Sequence, residues 1–230
     1  RSLGCFMAEV TTKLAGQSRG NRFFYLTIRL IVIVVCRIYL RLRIVDAHKI
    51  PKSGTFILAP SHRSTLDIPV AAATTRRRMM YMGKDSMWKI KPIGVFLTAL
   101  GSFPVTRGSA DLEALKRCIA VLERGDPLVL FPEGTRHHGR VIEPLFDGAA
   151  FIAYKTGVPI IPVGIAGSEE IWPPGTKLPR PRKCVAVVGD AIYPKDLNGA
   201  RATREMMSEF TLELQTSLQT VFDKAFLLLD

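Results

Sequence analysis

The sequence predicts a single α/β domain with a mixed, largely parallel central sheet flanked by helices, preceded by an N-terminal amphipathic or membrane-inserted helical segment. Three observations predict it. Beyond residue 43, short runs of strand-like composition alternate with helix-like runs, as the layers of an α/β domain require. The chain has 230 residues, enough for one domain with a real core and barely enough for two. Near the amino terminus an almost continuous apolar run, Phe23 to Leu40, stands outside this alternation. The expected division is a helical segment over residues 1–43 and one domain over residues 44–230.

The N-terminal run reads FFYLTIRLIVIVVCRIYL. Its uninterrupted core, Leu30 to Cys36, is short of the ~20 apolar residues that a simple span needs, and Arg29 and Arg37 are expensive in hydrocarbon. At about 100° per residue, Arg22, Arg29, Arg37, Arg41 and Arg43 fall within a sector of roughly 160°. That pattern suits a helix lying in a membrane interface with its arginines reaching toward anionic headgroups. A buried core helix is the alternative. A secretion signal has no reason to carry arginines inside its apolar region.

In the domain, the strand-like runs are Leu42–Asp46, Thr55–Ala59, Met79–Met82, Ser102–Val105, Leu128–Phe131, Pro159–Ile165 and Cys184–Val188. Between them, Thr65–Thr74, Ser86–Leu100, Ser109–Arg124 and Gly148–Lys155 have helical length or composition. The third of these has Ser109 as an N-cap, Asp111 and Glu113 in its first turn and Gly125 past its end. Trp172 to Arg182 holds four prolines and reads as a surface loop. From about Thr203, Met207, Phe210, Leu214, Leu218, Val221 and Ala225 recur at helical spacing, which predicts a final helix.

Charge narrows the partners. With 32 Lys+Arg against 20 Asp+Glu the formal charge is +12, which favours nucleic acid, an anionic membrane surface or a phosphorylated substrate. No aromatics interleave the Arg76-Arg77-Arg78 cluster, so nucleic acid is not the expected partner. Cys5, Cys36, Cys118 and Cys184 form no CxxC pair and read as free thiols in a reducing compartment. His137-His138 lack a third ligand at metal spacing, and no metal is expected. No P-loop, GxGxxG or Gly-x-Ser-x-Gly elbow occurs, so a serine nucleophile is not expected either.

Two blocks carry chemistry. Ser61-His62-Arg63-Ser64-Thr65-Leu66-Asp67 directly follows the strand-like run that ends at Ala59. Residues five apart on one continuous helix point about 140° away from each other, so a turn must intervene if His62 and Asp67 are to meet. With Ser64 capping the helix and Asp67 as its third residue, the His62 ring folds back to the Asp67 carboxylate. A plain capping box, with His62 an ordinary turn residue, is the alternative. The second block, Phe131-Pro132-Glu133-Gly134-Thr135-Arg136, lies at the end of a candidate central strand, where α/β proteins bind ligands. Its glycine lets backbone approach a bound group, and its arginine offers a fork matched to phosphate oxygens. Gly101 to Arg107 gives another strand end finishing in an arginine. Taken separately, a salt-bridged Glu–Arg turn and a solvated arginine are the favoured readings of these two.

In this order, HRSTLD at 62–67, GSFPVTR at 101–107, FPEGTR at 131–136 and VPIIPV at 158–163 resemble the acyltransferase family that includes 1-acylglycerol-3-phosphate and glycerol-3-phosphate acyltransferases. The resemblance covers about residues 45 to 190. It implies transfer of a fatty acyl group from acyl-CoA or acyl carrier protein to the sn-2 hydroxyl of 1-acylglycerol-3-phosphate, giving phosphatidic acid. It implies His62 as general base, Asp67 as its orienting carboxylate, and Arg107, Glu133, Gly134, Thr135 and Arg136 on the phosphate end of the acceptor. Lys84 matches a lysine near the reacting carbonyl. The donor is a substrate, so no resident cofactor is expected. The implied setting is the cytoplasmic face of the cell membrane, peripheral or monotopic, with the lipid surface and a lysophospholipid as partners. There are two departures from the family: Ser61 stands where Asn is common, and Leu145-Phe146 replace a Phe-Lys pair, removing one basic group. Another lysophospholipid or glycerol-3-phosphate as acceptor stays open, as does a non-catalytic basic membrane- or nucleic-acid-binding protein.

Overall fold

The computed structural model describes residues 19–105, 112–173, 176 and 178–229, without the side chains of residues 19–22 and 84. Seven strands form one sheet: β1 (Arg43–Val45), β2 (Ile57–Pro60), β3 (Met80–Lys84), β4 (Ser102–Val105), β5 (Leu128–Val129), β6 (Ile160–Ala166) and β7 (Val185–Val188), in the order β1-β7-β6-β2-β5-β3-β4. Pairing is parallel except between β6 and β7, so the sheet is mixed and largely parallel. The helices are α1 (Arg19–Ile38), α2 (Asp67–Ala73), α3 (Lys91–Ala99), α4 (Leu112–Glu123), α5 (Gly148–Thr156), α6 (Ser168–Ile171) and α7 (Arg204–Leu227).

β2 and β6 are apolar along their whole length because both of their faces are covered. On one face Leu58, Val163 and Ile165 pack with Cys36 and Leu40 from the α1 region and with Val70 and Ala71 of α2. On the other, Ile57, Leu128 and Ile160 meet Cys118 and Val121 of α4, Ile152 of α5, and Phe210 and Leu214 of α7. Gly164 sits where a side chain on β6 would run into the backbone of Val221 and Phe222, so its lack of a Cβ lets α7 lie against the sheet. The final helix starts where expected, and Thr203 caps it, its hydroxyl oxygen accepting from the Met206 N–H at 3.2 Å.

Three expectations need correction. The run Ser86–Leu100 is not one helix but a 3-10 turn, Asp85–Lys89, followed by α3. Pro92 explains the break, because a proline within a continuous helix clashes with the carbonyl four residues back. The helix expected at Thr65–Thr74 begins at Asp67, with Leu66 in the cap position instead of Ser64. The third correction concerns the arginine stripe. α1 ends at Ile38, Arg41 has a positive φ of 44°, and Arg43 belongs to β1, so neither is on the helix. Arg29 turns toward the domain and donates to the Thr75 carbonyl, beside buried Tyr25. The outward side is chiefly apolar, with Phe23, Leu26, Leu30, Ile31, Val34 and Ile38 exposed, and of the stripe Arg37 stays exposed on the helix. Ser109 and Asp111, the expected start of α4, lie outside the described residues.

Candidate active site

The turn between β2 and α2 is built by its own polar groups. Ser61 leaves the sheet fully buried, and its hydroxyl oxygen accepts from the Ile165 N–H at 3.0 Å, which ties the turn to β6. Asp67, the first residue of α2, is also fully buried and points back along the chain. Its Oδ2 accepts the backbone N–H groups of Arg63 at 2.6 Å and Ser64 at 2.7 Å, which have no intrahelical partner. The same oxygen lies 3.2 Å from His62 Nδ1. The geometry thus joins the residues that the spacing paired, by a different turn from the one expected. His62 is further held by stacking on Phe131, with ring centroids 4.1 Å apart. With Nδ1 on the carboxylate, Nε2 is the nitrogen left for a substrate proton.

A second layer lies beneath the turn. Arg63 and Glu133 form a buried ion pair, Nη1 to Oε2 at 2.8 Å and to Oε1 at 3.0 Å. Glu133 Oε1 also accepts the backbone N–H of His62 at 2.9 Å. Arg63 donates from Nε to the Gly139 carbonyl and from Nη2 to the Val141 carbonyl. Glu133 therefore points into the protein at Arg63, where the resemblance implied a contact to the acceptor phosphate. It does not pair with Arg136. Arg63 itself carried no expected role, and its partner, seventy positions along the chain, gives no local signal in sequence.

The rest of the second block lies open beside His62. Gly134 has φ +70°, a left-handed conformation that favours glycine, and an added Cβ there would press on the Phe146 ring. Thr135 and Arg136 are exposed, with Arg136 Nη1 donating to Thr65 Oγ1 at 2.9 Å. The N–H of His137 donates to the His62 carbonyl at 3.0 Å, which binds the two blocks together. Lys84 ends β3, two strands from β2 on the same edge, and its side chain lies outside the description. Arg107 lies outside the described residues.

From His62 a cleft of about 500 Å³ runs across β5, β3 and β4. Its walls are chiefly apolar, from Ile68, Met82, Trp88, Leu97, Val105 and Phe146. Gly83 and Gly94 make room for Trp88, because a Cβ on either would strike the indole, whose N–H donates to Thr98 Oγ1 at 2.9 Å. Phe146, one of the two departures from the family, lines the cleft. Neither Trp88 nor Phe146 was singled out as a pocket residue, since apolar side chains in these runs read equally well as core. Tyr81 borders the cleft with its hydroxyl buried and unpartnered among the described residues, and burial pushes that phenol well above the usual tyrosine range. Cys36, Cys118 and Cys184 are free and buried, and burial pushes the Cys118 thiol up to about 12, so it stays protonated and inert near neutral pH. Among the described residues, no three of His, Cys, Asp and Glu converge as metal ligands.

Comparison with known proteins gives the family and the fold. The model of a family described as Acyltransferase matches residues 41–166. A chloroplastic 1-acyl-sn-glycerol-3-phosphate acyltransferase of Brassica napus is 31% identical over 131 residues, 56% of this chain and 38% of that one. An enzyme with the same name from Streptococcus pneumoniae is 32% identical over 152 residues, 64% of this chain and 56% of its own length. The chain thus spans less than two thirds of these two relatives. The Bacillus subtilis protein of that name aligns over 79% of this chain and 88% of its own, at 25% identity. In structure, the chain shares its fold with the 1-acyl-sn-glycerophosphate acyltransferase PlsC from Thermotoga maritima, at a TM-score of 0.73 and 22% identity, covering 96% of this chain and 88% of that one.

Proposed function

The chain belongs to the acyltransferase family, and from that premise we propose that it is a membrane-associated O-acyltransferase making phosphatidic acid from 1-acylglycerol-3-phosphate and an acyl thioester, acyl-CoA or acyl carrier protein. The observation that carries the reading is His62, oriented by Asp67, at the head of an apolar cleft and beside the open Gly134–Arg136 turn. The cleft suits an acyl chain, and the turn suits a phosphate.

In this mechanism His62 Nε2 takes the proton of the sn-2 hydroxyl as its oxygen attacks the thioester carbonyl. A C–O bond forms and the carbonyl electrons move to oxygen. Asp67 keeps the remaining proton on Nδ1 and stabilises the imidazolium. Collapse of the tetrahedral intermediate breaks the C–S bond, and the leaving thiolate takes the proton back from His62. Acyl enzyme is not needed. Lys84, at the end of β3, is the candidate donor to the oxyanion. Arg107, Gly134, Thr135 and Arg136 hold the acceptor phosphate, while Glu133 acts through Arg63 and the His62 backbone as a positioning residue.

Residues 1–43 serve as the membrane segment and 44–230 as the acyltransferase domain. Among the described residues no helix is long and apolar enough to cross a membrane. The exposed apolar side of α1 fits burial in one leaflet, at the cytoplasmic face of the cell membrane, where a soluble thioester meets a lipid acceptor. The test is an acyl-transfer assay with a panel of lysophospholipids and glycerol-3-phosphate, each offered with both donors. The expected preference is 1-acylglycerol-3-phosphate; a higher rate on another acceptor reassigns the substrate. His62→Ala should lose roughly 10²–10⁴-fold in kcat and more than Asp67→Asn. Near wild-type turnover in folded His62→Ala protein overturns the mechanism.

A further inference from the structure

On the far side of His62 from the apolar cleft, a second cleft of about 430 Å³ opens on the same edge of the sheet. Arg41, Arg140, Arg182 and Lys183 line it, with Phe226 and Leu229 as an apolar wall and Glu170 as its one acidic side chain. The strand register fixes its place. Ala166 at the end of β6 lies opposite Val185 at the start of β7, and β6 runs parallel to β2, which delivers His62 at that same end. From β2 to β7 is two strand spacings, about 10 Å. The loop that starts with His137 on the His62 carbonyl reaches the cleft at Arg140.

Among the described residues none of the four basic side chains is in an ion pair. Four like charges around one concave volume repel one another, and an anion held between them relieves that repulsion. Arg140 is already oriented, its guanidinium 4.3 Å from the centroid of the Phe226 ring.

We propose that this cleft is a phosphate-binding site distinct from the one that holds the acceptor, and that its ligand is the headgroup phosphate of an anionic phospholipid. Guanidinium forks suit phosphate oxygens. Exposed apolar side chains near the lining residues in sequence point to a lipid as the source. Ile38 precedes Arg41 by three residues and is 74% exposed, Leu178 precedes Arg182 by four and is 77% exposed, and Leu227 beside Phe226 is 78% exposed. The Tyr39 hydroxyl donates to the Pro179 carbonyl at 2.6 Å, which ties the chain just past α1 to the loop carrying Arg182. Exposed apolar side chains close in sequence to a cationic hollow match an amphiphile with an anionic head. The choice of a lipid rests on the reading that α1 faces a bilayer; the phosphate site does not.

The test is calorimetric titration of the full chain, in an Arg136→Ala background that weakens the acceptor site, with sub-micellar dihexanoyl phosphatidic acid and, separately, adenosine bisphosphate. Phosphatidic acid should bind, and Arg182→Gln/Lys183→Gln should weaken it roughly tenfold or more. Arg140→Gln, on a different loop, should act in the same direction, and the control Arg201→Gln/Arg204→Gln, also two exposed charges, should not. Equal loss in the control, or no binding that these substitutions change, overturns the site. Binding of adenosine bisphosphate with the same sensitivity overturns the lipid assignment. Acyl transfer by chains with Arg136 intact is read independently, so loss of the site and loss of the enzymatic reading are separate results.

Discussion

Arg63 donates from all three of its guanidinium nitrogens, and every acceptor it uses belongs to the segment 62–141 that surrounds the His62 turn. The pair it forms with Glu133 has side chains only 2% and 0% exposed. Removing one partner of such a pair strands a buried charge, at a cost of about 3–5 kcal/mol. Glu133→Gln should therefore lower the denaturation midpoint sharply and reduce kcat, through a displaced His62 backbone, with the acceptor KM little changed. Unaltered stability with a raised acceptor KM would restore the contact to substrate that the motif resemblance implied. HRSTLD and FPEGTR were legible as blocks because their spacing and strand-end positions are local. The Arg63–Glu133 pair was not, since it forms only when β2 and β5 lie side by side.

At the scale of the element, α1 shows how far periodicity carries. The apolar run and its helical conformation were readable, but a helical wheel assigns faces only while the helix lasts, and this one stops at Ile38. The wheel also leaves open which side the domain takes. The domain takes the side of Tyr25, Arg29 and Cys36, because Arg29 finds a carbonyl at Thr75 and Cys36 an apolar core. Leu30→Ser/Val34→Ser, on side chains 62% and 45% exposed, should weaken binding to neutral and anionic vesicles alike and leave the unfolding midpoint where it is. Arg29→Gln should do the reverse, lowering the midpoint while neutral-vesicle binding persists. Co-sedimentation and denaturation decide between these orientations. Loss of anionic-vesicle binding by Arg29→Gln without loss of stability would mean that the helix presents its other face. The strands were read almost to the residue, since each is an apolar run bounded by turn-forming residues. The split between the 3-10 turn and α3 is marked in sequence by Pro92 alone, against the strong helical composition of the rest of the run.

The whole molecule depends on a sheet covered on both faces, and the same burial sets an alkaline limit to its stability. The α/β class was readable from alternation, but strand order was not: β2 pairs with β6, Ile57 opposite Ile160, and β7 enters antiparallel after a proline-rich loop that leaves no mark of direction. That order puts Cys184 against β2 and β6 on one face and Cys118, on the inner side of α4, against the other, with Tyr81 on β3. Burial raises the Cys118 thiol from its ordinary 9.0 to about 12, and raises Cys184 and Tyr81 as well. For each group the charged form is disfavoured in the folded chain. Above about pH 9 the unfolded chain releases thiol protons that the folded chain keeps, so the unfolded state binds fewer protons and stability falls as pH rises. Below about pH 8 the unfolded thiols are protonated too, and the slope disappears. Urea midpoints should therefore be flat with respect to these groups from about pH 7 to 8 and decline steadily from about pH 9 toward 11. Cys118→Ala should remove part of that decline, at the cost of a lower midpoint at neutral pH, because the alanine leaves no proton to lose. Iodoacetamide should label Cys118 and Cys184 in urea and not in the native chain at about pH 8. A midpoint that is constant through about pH 11, or rapid native labelling, would show that these thiols meet water, and that the two faces of the sheet are less completely covered than α2, α4 and α7 make them.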